Sequence, residues 1–151
     1  MTIRPMQTSD VDRVLEIADN LAQAPRWARE VYETAIRPGS APRRIALVAE
    51  ESTLGLVGFA VASFVMPEAE LETIGVAVAR QLSGIGRQLL WETNRILGGL
   101  GITKVILEVR ESNRAARQLY KAAGFDKTGH RASYYVDPKE DAIMMSLKLA
   151  D

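Results

Sequence analysis

The glycine-rich segment at residues 80–87 (RQLSGIGR) constrains this chain more than any other feature. A short apolar run at residues 73–78 precedes it and predicts a buried strand, and apolar residues recur at helical spacing after it. A helix that begins at such a turn offers unpaired N–H groups and the positive end of its dipole. Glycine lets a ligand approach that backbone closely, and Arg80 and Arg87 add positive charge. The segment therefore predicts a site for a phosphate group.

The residues around the glycines exclude two common kinds of phosphate site. A P-loop requires Lys followed by Ser or Thr after the second glycine, whereas Arg87 and Gln88 stand there. A dinucleotide fingerprint requires a third glycine where Leu89 stands. The pattern that remains is Gln-x-x-Gly-x-Gly. From this pattern alone, the glycines could equally serve only to permit a tight turn between strand and helix.

Length and composition limit the classes of protein to which this chain can belong. A chain of 151 residues is long enough for one domain with a substantial core, so we expect a single domain spanning residues 1–151. Nineteen basic residues balance nineteen acidic ones, which indicates neither a nucleic-acid-binding surface nor a membrane patch. The absence of cysteine excludes disulfides and thiolate sites, and the single histidine, His130, is too little for a histidine-based metal site. With no signal-peptide pattern and no membrane-spanning run, we expect a metal-free cytoplasmic protein.

The order of helices and strands indicates the fold class. Helices are predicted after a cap formed by Ser9 and Asp12, and then over residues 28–36, 85–98 and 113–123. Strands are predicted over residues 2–6, 44–50, 54–65, 73–78, 104–110, 125–136 and 142–149. Elements alternate in the middle of the chain, while both ends resemble antiparallel hairpins. An α/β (α+β) fold with a mixed sheet flanked by helices follows.

Glu108 is the first candidate catalytic residue. It interrupts the apolar strand predicted at residues 104–110, where a carboxylate is costly to ionise unless it is paired. A carboxylate in such a place can act as a general base near neutral pH. Alternatively, Glu108 lies at the strand end, where it is solvated or paired with Arg110.

Tyr120 and Asn113 follow on the next predicted helix. Tyr120 lies on the apolar stripe, so taken alone it is a core residue whose hydroxyl reaches a polar partner. Asn113, taken alone, is the N-cap of this helix. Neither residue indicates a catalytic function without the glycine turn and Glu108.

Together these residues resemble the GNAT family of N-acetyltransferases. Gln81, Gly84 and Gly86 match its acyl-CoA-binding turn. The second half of its signature is matched by Glu108-Val109-Arg110-Glu111-Ser112-Asn113, Ala116, Leu119-Tyr120 and Gly124-Phe125. The resemblance covers nearly the whole chain and is closest to the RimI-like branch, which acetylates N-terminal alanines of ribosomal proteins. It extends to Ala24-Pro25-Arg26-Trp27, Ser133-Tyr134-Tyr135 and Glu140-Asp141-Ala142.

The resemblance implies a fold and a set of functional residues. The implied fold is a GNAT-like mixed, mostly antiparallel sheet of about seven strands flanked by about four helices. Acetyl-CoA is implied as co-substrate without a metal, with Glu108 as base and Tyr120 as acid. Asn113 is implied to contact the coenzyme arm. The other implied coenzyme-binding residues are Ile74, Gly75, Val76, Gln81, Leu82, Ser83, Gly84, Ile85, Gly86 and Arg87.

The acceptor follows from an energetic argument together with the resemblance. At pH 7.4, deprotonating an α-amine with a pKa near 7.8 costs roughly 0.5 kcal/mol, whereas a free lysine costs about 4 kcal/mol. A single carboxylate suits the first task better, so we expect a protein or peptide N-terminus as partner, a ribosomal protein being one candidate. Trp27, Tyr134 and Tyr135 are expected to line its groove, unless these aromatic side chains only cover the sheet edge. We expect a monomer or weak dimer.

Two other functions remain open at this point. A GNAT enzyme of a small amine, such as a polyamine or an aminoglycoside, would require an acidic pocket for a polycation. A noncatalytic acyl-CoA-binding sensor would require only the glycine turn, so the presence of Glu108 and Tyr120 argues against it.

Overall fold

The computed structural model describes residues 1–149, and a seven-stranded sheet forms its centre. The strands are β1 (Thr2–Pro5), β2 (Arg43–Glu51), β3 (Gly55–Val65), β4 (Glu68–Val76), β5 (Lys104–Arg110), β6 (Asp126–Val136) and β7 (Lys139–Lys148). Their order in the sheet is β1-β2-β3-β4-β5-β7-β6, and every neighbouring pair is antiparallel except β4 and β5. The prediction of a mixed, mostly antiparallel sheet is confirmed.

Four helices cover the two faces of the sheet. They are α1 (Val11–Asp19), α2 (Arg29–Ile36), α3 (Ile85–Gly99) and α4 (Arg114–Ala122). On one face, α1 and α2 pack over β3 through a cluster that includes Val14, Tyr32 and Phe59. On the other face, α3 and α4 contribute Leu90 and Tyr120 to a second cluster. None of the helices within residues 1–149 is both long and apolar enough to cross a membrane.

The start of the first helix differs from the prediction. Asp10, rather than Asp12, accepts a hydrogen bond from an upstream amide, that of Gln7, at 2.8 Å. Arg4 donates to both Asp10 oxygens at 2.8 and 3.0 Å, and these bonds lower the pKa of the Asp10 carboxyl. Asp12 lies exposed and pairs with Arg29, so it does not act in the cap.

Two strand boundaries also differ from the prediction. The strand before the glycine turn begins at Glu68 and ends at Val76, and residues 78–80 form a single 3-10 turn. Glutamates alternate with apolar residues over 68–72, which is the pattern of a half-exposed strand paired with β3. The last strand begins at Lys139 because its first residues pair with the end of β6.

The sheet opens between β4 and β5. These parallel strands pair at only three positions, Glu68 with Lys104, Ala69 with Val105 and Glu70 with Ile106. A bulge in β4 follows, since Val61 of β3 pairs with Thr73 while Ala62 pairs with Leu71. A bulge bends its strand and increases the local twist, which carries the end of β4 away from β5. The result is a gap between the carboxyl halves of two parallel strands.

Candidate active site

The glycine turn presents free backbone to solvent at the start of α3. Gly84 precedes the helix with φ of 87°, and a Cβ at this residue would meet nothing within 4 Å. Leu82 has φ of 62° and a fully exposed side chain. The Gln81 side chain donates to the Val76 carbonyl oxygen at 3.2 Å and so ties the turn to β4. Unpaired amides at a helix N-terminus fit a phosphate group, as the sequence predicts.

The two arginines of the turn differ in their surroundings. Arg80 donates to both oxygens of Glu51 at 2.7 and 2.8 Å, so its charge is neutralised within the protein. This ion pair ties the turn to Glu51 at the end of β2, and it differs from the expectation that the Arg80 charge is free for a phosphate group. Arg87 lies exposed in the first turn of α3 and leaves a positive charge near the turn.

The end of β4 lines the gap with main chain. Gly75 is required by packing, because a Cβ there would lie 2.8 Å from Leu21 Cδ1 and from Phe59 Cε1. Ile74 and Val76 face α3 instead. The Ala77 amide donates to the Val57 carbonyl oxygen in β3 at 2.8 Å. Since successive amides of a strand point to opposite edges, the Val76 amide points into the gap.

Glu108 lies half-buried in the middle of β5 and on the side of the gap. Leu107 beside it points into the opposite core cluster, so Glu108 faces the α1–α2 side of the sheet. The alternative pairing with Arg110 is not observed. Arg110 instead donates to the Pro138 carbonyl oxygen at 2.9 Å and to Glu140 at 3.3 Å.

Tyr134 and Tyr135 lie beside Glu108 because β6 is irregular at this point. Its register shifts between Arg131 and Tyr135, and Ser133 takes φ of 53°. A hydrogen bond to the Glu108 carboxylate is the main cause of the raised pKa of Tyr134. Burial, and then the charge of Glu108, raises the pKa of Tyr135. The structure therefore brings this predicted tyrosine pair together with the predicted base.

Tyr120 approaches the gap from the other face of the sheet. Its ring is buried and packs on Phe125, with 5.9 Å between ring centroids. Burial raises the pKa of Tyr120 well above its usual value, and the Tyr135 hydroxyl raises it further. Tyr135 is thus close enough to Glu108 and to Tyr120 to interact electrostatically with both. The Tyr120 hydroxyl remains protonated at neutral pH and can act as a proton donor.

Asn113 and Trp27 have structural roles that the sequence also allowed. Asn113 caps α4, with its Oδ1 accepting from the Ala116 amide at 3.2 Å. Trp27 is half-buried and packs on Tyr32, with 5.1 Å between ring centroids. Trp27 therefore belongs to the α1–α2 layer, which covers the same sheet face that Glu108 occupies.

Sequence reasoning missed Glu70, which borders the same gap. Burial raises the pKa of the Glu70 carboxyl, and the charges of Glu72 and Glu108 raise it further. The alternation of glutamate with apolar residues over 68–72 was the signal that could have placed Glu70 in a strand. Its proximity to Glu108 depends on strand pairing and has no signal in the sequence.

His130 of β6 lies close to two carboxylates, that of Asp141 in β7 and that of Glu111 just after β5. Its Nε2 lies 2.8 Å from Asp141 Oδ2 and 3.8 Å from Glu111 Oε2. Among residues 1–149 these three side chains form a group that could hold a metal ion. The Asp141 carboxylate already accepts from His130 and from the Ser133 amide, so it serves to hold the irregular turn of β6.

Comparison with known proteins assigns this architecture to a class of acyl-transferring enzymes. Residues 12–125 match the Acetyltransferase (GNAT) family. The chain belongs to this family, and it is an N-acetyltransferase that uses acetyl-CoA. The exposed amides of the glycine turn and the gap between β4 and β5 fit that coenzyme.

Individual relatives are similar to this chain over nearly its full length. The chain is 32% identical to the [Ribosomal protein bS18]-alanine N-acetyltransferase of Escherichia coli K12, over 99% of this chain and 98% of the relative. A putative enzyme of the same name from Bacillus subtilis is 29% identical over 95% of this chain and 92% of its own. The crystal structure of the ribosomal-protein-S18-alanine N-acetyltransferase from Escherichia coli matches with a TM-score of 0.86 at 30% identity, covering 99% of this chain and 94% of that one. The resemblance to the RimI-like branch is confirmed.

Proposed function

We propose that this enzyme acetylates the α-amine of a protein N-terminus, with the alanine of a ribosomal protein of the bS18 type as the acceptor. The observation that carries this proposal is the half-buried carboxylate of Glu108, set beside Tyr134 and Tyr135 at the gap in the sheet. One carboxylate is enough to deprotonate an α-amine, which costs far less than deprotonating a lysine. The relatives named for this acceptor support the same choice.

The coenzyme-binding residues follow from the shape of the site. Main chain of residues 81–87 holds the pyrophosphate at the start of α3, with Arg87 contributing charge. Main chain of residues 74–76 aligns the pantetheine arm along the open edge of β4. The Asn113 side chain uses its amide nitrogen towards the same arm, since its oxygen is occupied by the α4 cap.

The chemistry requires three protein groups. Glu108 takes the proton of the acceptor ammonium, directly or through a water molecule, and the free amine then attacks the thioester carbonyl. The Val76 amide, which points into the gap, stabilises the negative charge that develops on the carbonyl oxygen. Tyr120 gives its proton to the departing sulfur. The remaining rate enhancement comes from holding the two substrates in the correct orientation across the gap.

Side-by-side acetyl transfer tests the acceptor. We expect peptides that begin with alanine to be acetylated on the α-amine, and blocking this amine should abolish turnover even when an internal lysine is present. Lysine peptides with blocked N-termini, polyamines and aminoglycosides serve as the competing acceptors. If a polyamine exceeds every peptide in kcat/KM, the enzyme acts on a small amine and the proposal is wrong.

We also infer how the chain works as a whole. Residues 1–151 act as one domain, because the sheet and both helix layers are continuous from Thr2 to Lys148. Equal numbers of acidic and basic residues favour neither nucleic acid nor a membrane as partner. A ribosomal acceptor places the enzyme in the cytoplasm, where it functions as a monomer or weak dimer.

A further inference from the structure

We propose that Glu70 determines acceptor specificity by binding a Lys or Arg side chain at the second or third position of the acceptor, an inference that rests on the proposed acetylation of protein N-termini. The proposal narrows the substrate class to N-termini with a basic residue close to the reacting amine. It gives a function to a residue that the proton-transfer chemistry does not use.

Glu70 and Glu108 border the same end of the gap. Glu70 pairs with Ile106 at the last position where β4 and β5 meet, and Glu108 lies two residues further along β5 on the same face. Strand separation of about 4.8 Å and a rise of about 3.3 Å per residue place their Cα atoms about 8 Å apart. The Tyr134 hydroxyl is influenced by the charges of both residues, so it lies near both carboxylates.

Charge pairing in this region separates Glu70 from Glu72 and Glu140. Glu72, its neighbour in β4, is neutralised by Arg44 at 2.8 Å. Glu140 is paired with Arg110 at 3.3 Å. Within residues 1–149, no such ion pair involves Glu70, whose only described charge neighbours are carboxylates. Although Glu70 is exposed, a carboxylate beside other carboxylates gains more from an added cation than one that is already paired.

The dimensions agree with a basic residue near the acceptor N-terminus. The amine to be acetylated must lie at Glu108, and each further residue of an extended peptide advances about 3.3 Å. The second or third residue is therefore within side-chain reach of Glu70, given the long flexible stems of Lys and Arg. Arginine in addition can bind the carboxylate through two parallel hydrogen bonds.

The test compares matched peptides that differ only in one charge. Peptides beginning with alanine carry either arginine or its neutral isostere citrulline at position two, and in a second series at position three. Initial rates of α-amine acetylation give kcat/KM for the wild type, for Glu70→Gln and for Glu68→Gln as control. Glu68 lies two residues earlier on the same strand face and pairs with Lys104 at the strand start.

We expect the wild type to prefer arginine over citrulline by about tenfold in at least one series. Glu70→Gln should abolish this preference and leave the citrulline peptide unchanged within about twofold, while Glu68→Gln should retain the preference. Raising the salt concentration should reduce the preference in the wild type only.

Each other result overturns the inference in a distinguishable way. Efficient α-amine acetylation without an arginine preference, or with a preference that survives Glu70→Gln, refutes the role of Glu70 and leaves the proposed function intact. If Glu70→Gln lowers kcat/KM equally for the arginine and the citrulline peptide, Glu70 has a structural role. If no peptide is acetylated on its α-amine, the proposed function itself fails, and with it this inference.

Discussion

Replacing Glu108 by glutamine keeps the shape of the side chain and removes its capacity to accept a proton. Glu108 is half-buried and forms no bond with Arg110, so the variant should fold with little change in stability. Removing a general base costs about 10²- to 10⁴-fold in rate. This range corresponds to about 3 to 5 kcal/mol of transition-state stabilisation. We expect kcat to fall by at least about 10²-fold at pH 7, with acetyl-CoA affinity kept within a few-fold.

The pH dependence of the defect gives a sharper criterion. Without a base, only acceptor that is already deprotonated in solution can react. With a pKa near 7.8, about 5% of an α-amine is neutral at pH 6.5 and about 94% at pH 9. The rate deficit of Glu108→Gln should therefore shrink by about twentyfold between these two values. Single-turnover acetylation of an alanine peptide at fixed saturating acetyl-CoA measures this ratio directly.

The phenol titration of Tyr134 serves as a spectroscopic control for the effect of Glu108→Gln. The Glu108 carboxylate raises the pKa of Tyr134 through their hydrogen bond, so Glu108→Gln should move the phenol titration of Tyr134 back towards its usual value. Glu111→Gln, at an exposed position after β5, should change neither the rate nor this titration. A deficit that stays constant with pH would mean that Glu108 binds the acceptor electrostatically. A normal kcat would remove it from the mechanism.

Four further substitutions, one of them with a matched control, test other parts of the structure. Tyr120→Phe should lower kcat by about 10²-fold with acetyl-CoA affinity unchanged, because the lost hydroxyl is the proposed acid; calorimetry and stopped-flow assays separate the two. Gly84→Ala should weaken acetyl-CoA binding about tenfold, since φ of 87° is unfavourable for alanine by about 1–2 kcal/mol, while Gly86→Ala, whose Cβ meets only ordinary contacts, should bind normally. Tyr135→Ala should raise the peptide KM more than the acetyl-CoA KM. Asp10→Asn should destabilise the fold by about 2 kcal/mol at pH 7. Because the pKa of Asp10 is lowered in the folded state, that difference should vanish as pH falls from about 4 through the folded pKa, which acid unfolding curves can follow.

Local patterns were sufficient for much of the fold. The apolar run at 104–110 and the helix predicted at 28–36 correspond to β5 and α2 within one residue, because periodicity and Gly or Pro breaks act over short distances. The strand before the glycine turn was placed five residues late. Its first half alternates glutamate with apolar residues, and only the pairing with β3 makes that half a strand.

The site depends on features that a sequence does not carry. The gap between β4 and β5 arises from a bulge opposite Val61 and Ala62, and the approach of Tyr134 to Glu108 arises from the irregular turn at Ser133. Both are register effects that depend on which strands become neighbours. The residues of the proposed acid–base pair could be named from their resemblance to a family, but the placement of Glu70 beside Glu108 could not.

The two proposed catalytic side chains lie on opposite faces of the sheet. Glu108 lies on the face covered by α1 and α2, in contact with Tyr134, whereas Tyr120 is buried on the face covered by α3 and α4. A continuous sheet would separate the proposed base from the proposed acid. Because β4 and β5 pair at only three positions, a ligand can pass between them and meet Glu108 on one side and Tyr120 on the other. Closing the gap by strengthening β4–β5 pairing should therefore abolish acetyl transfer even if both side chains remain in place.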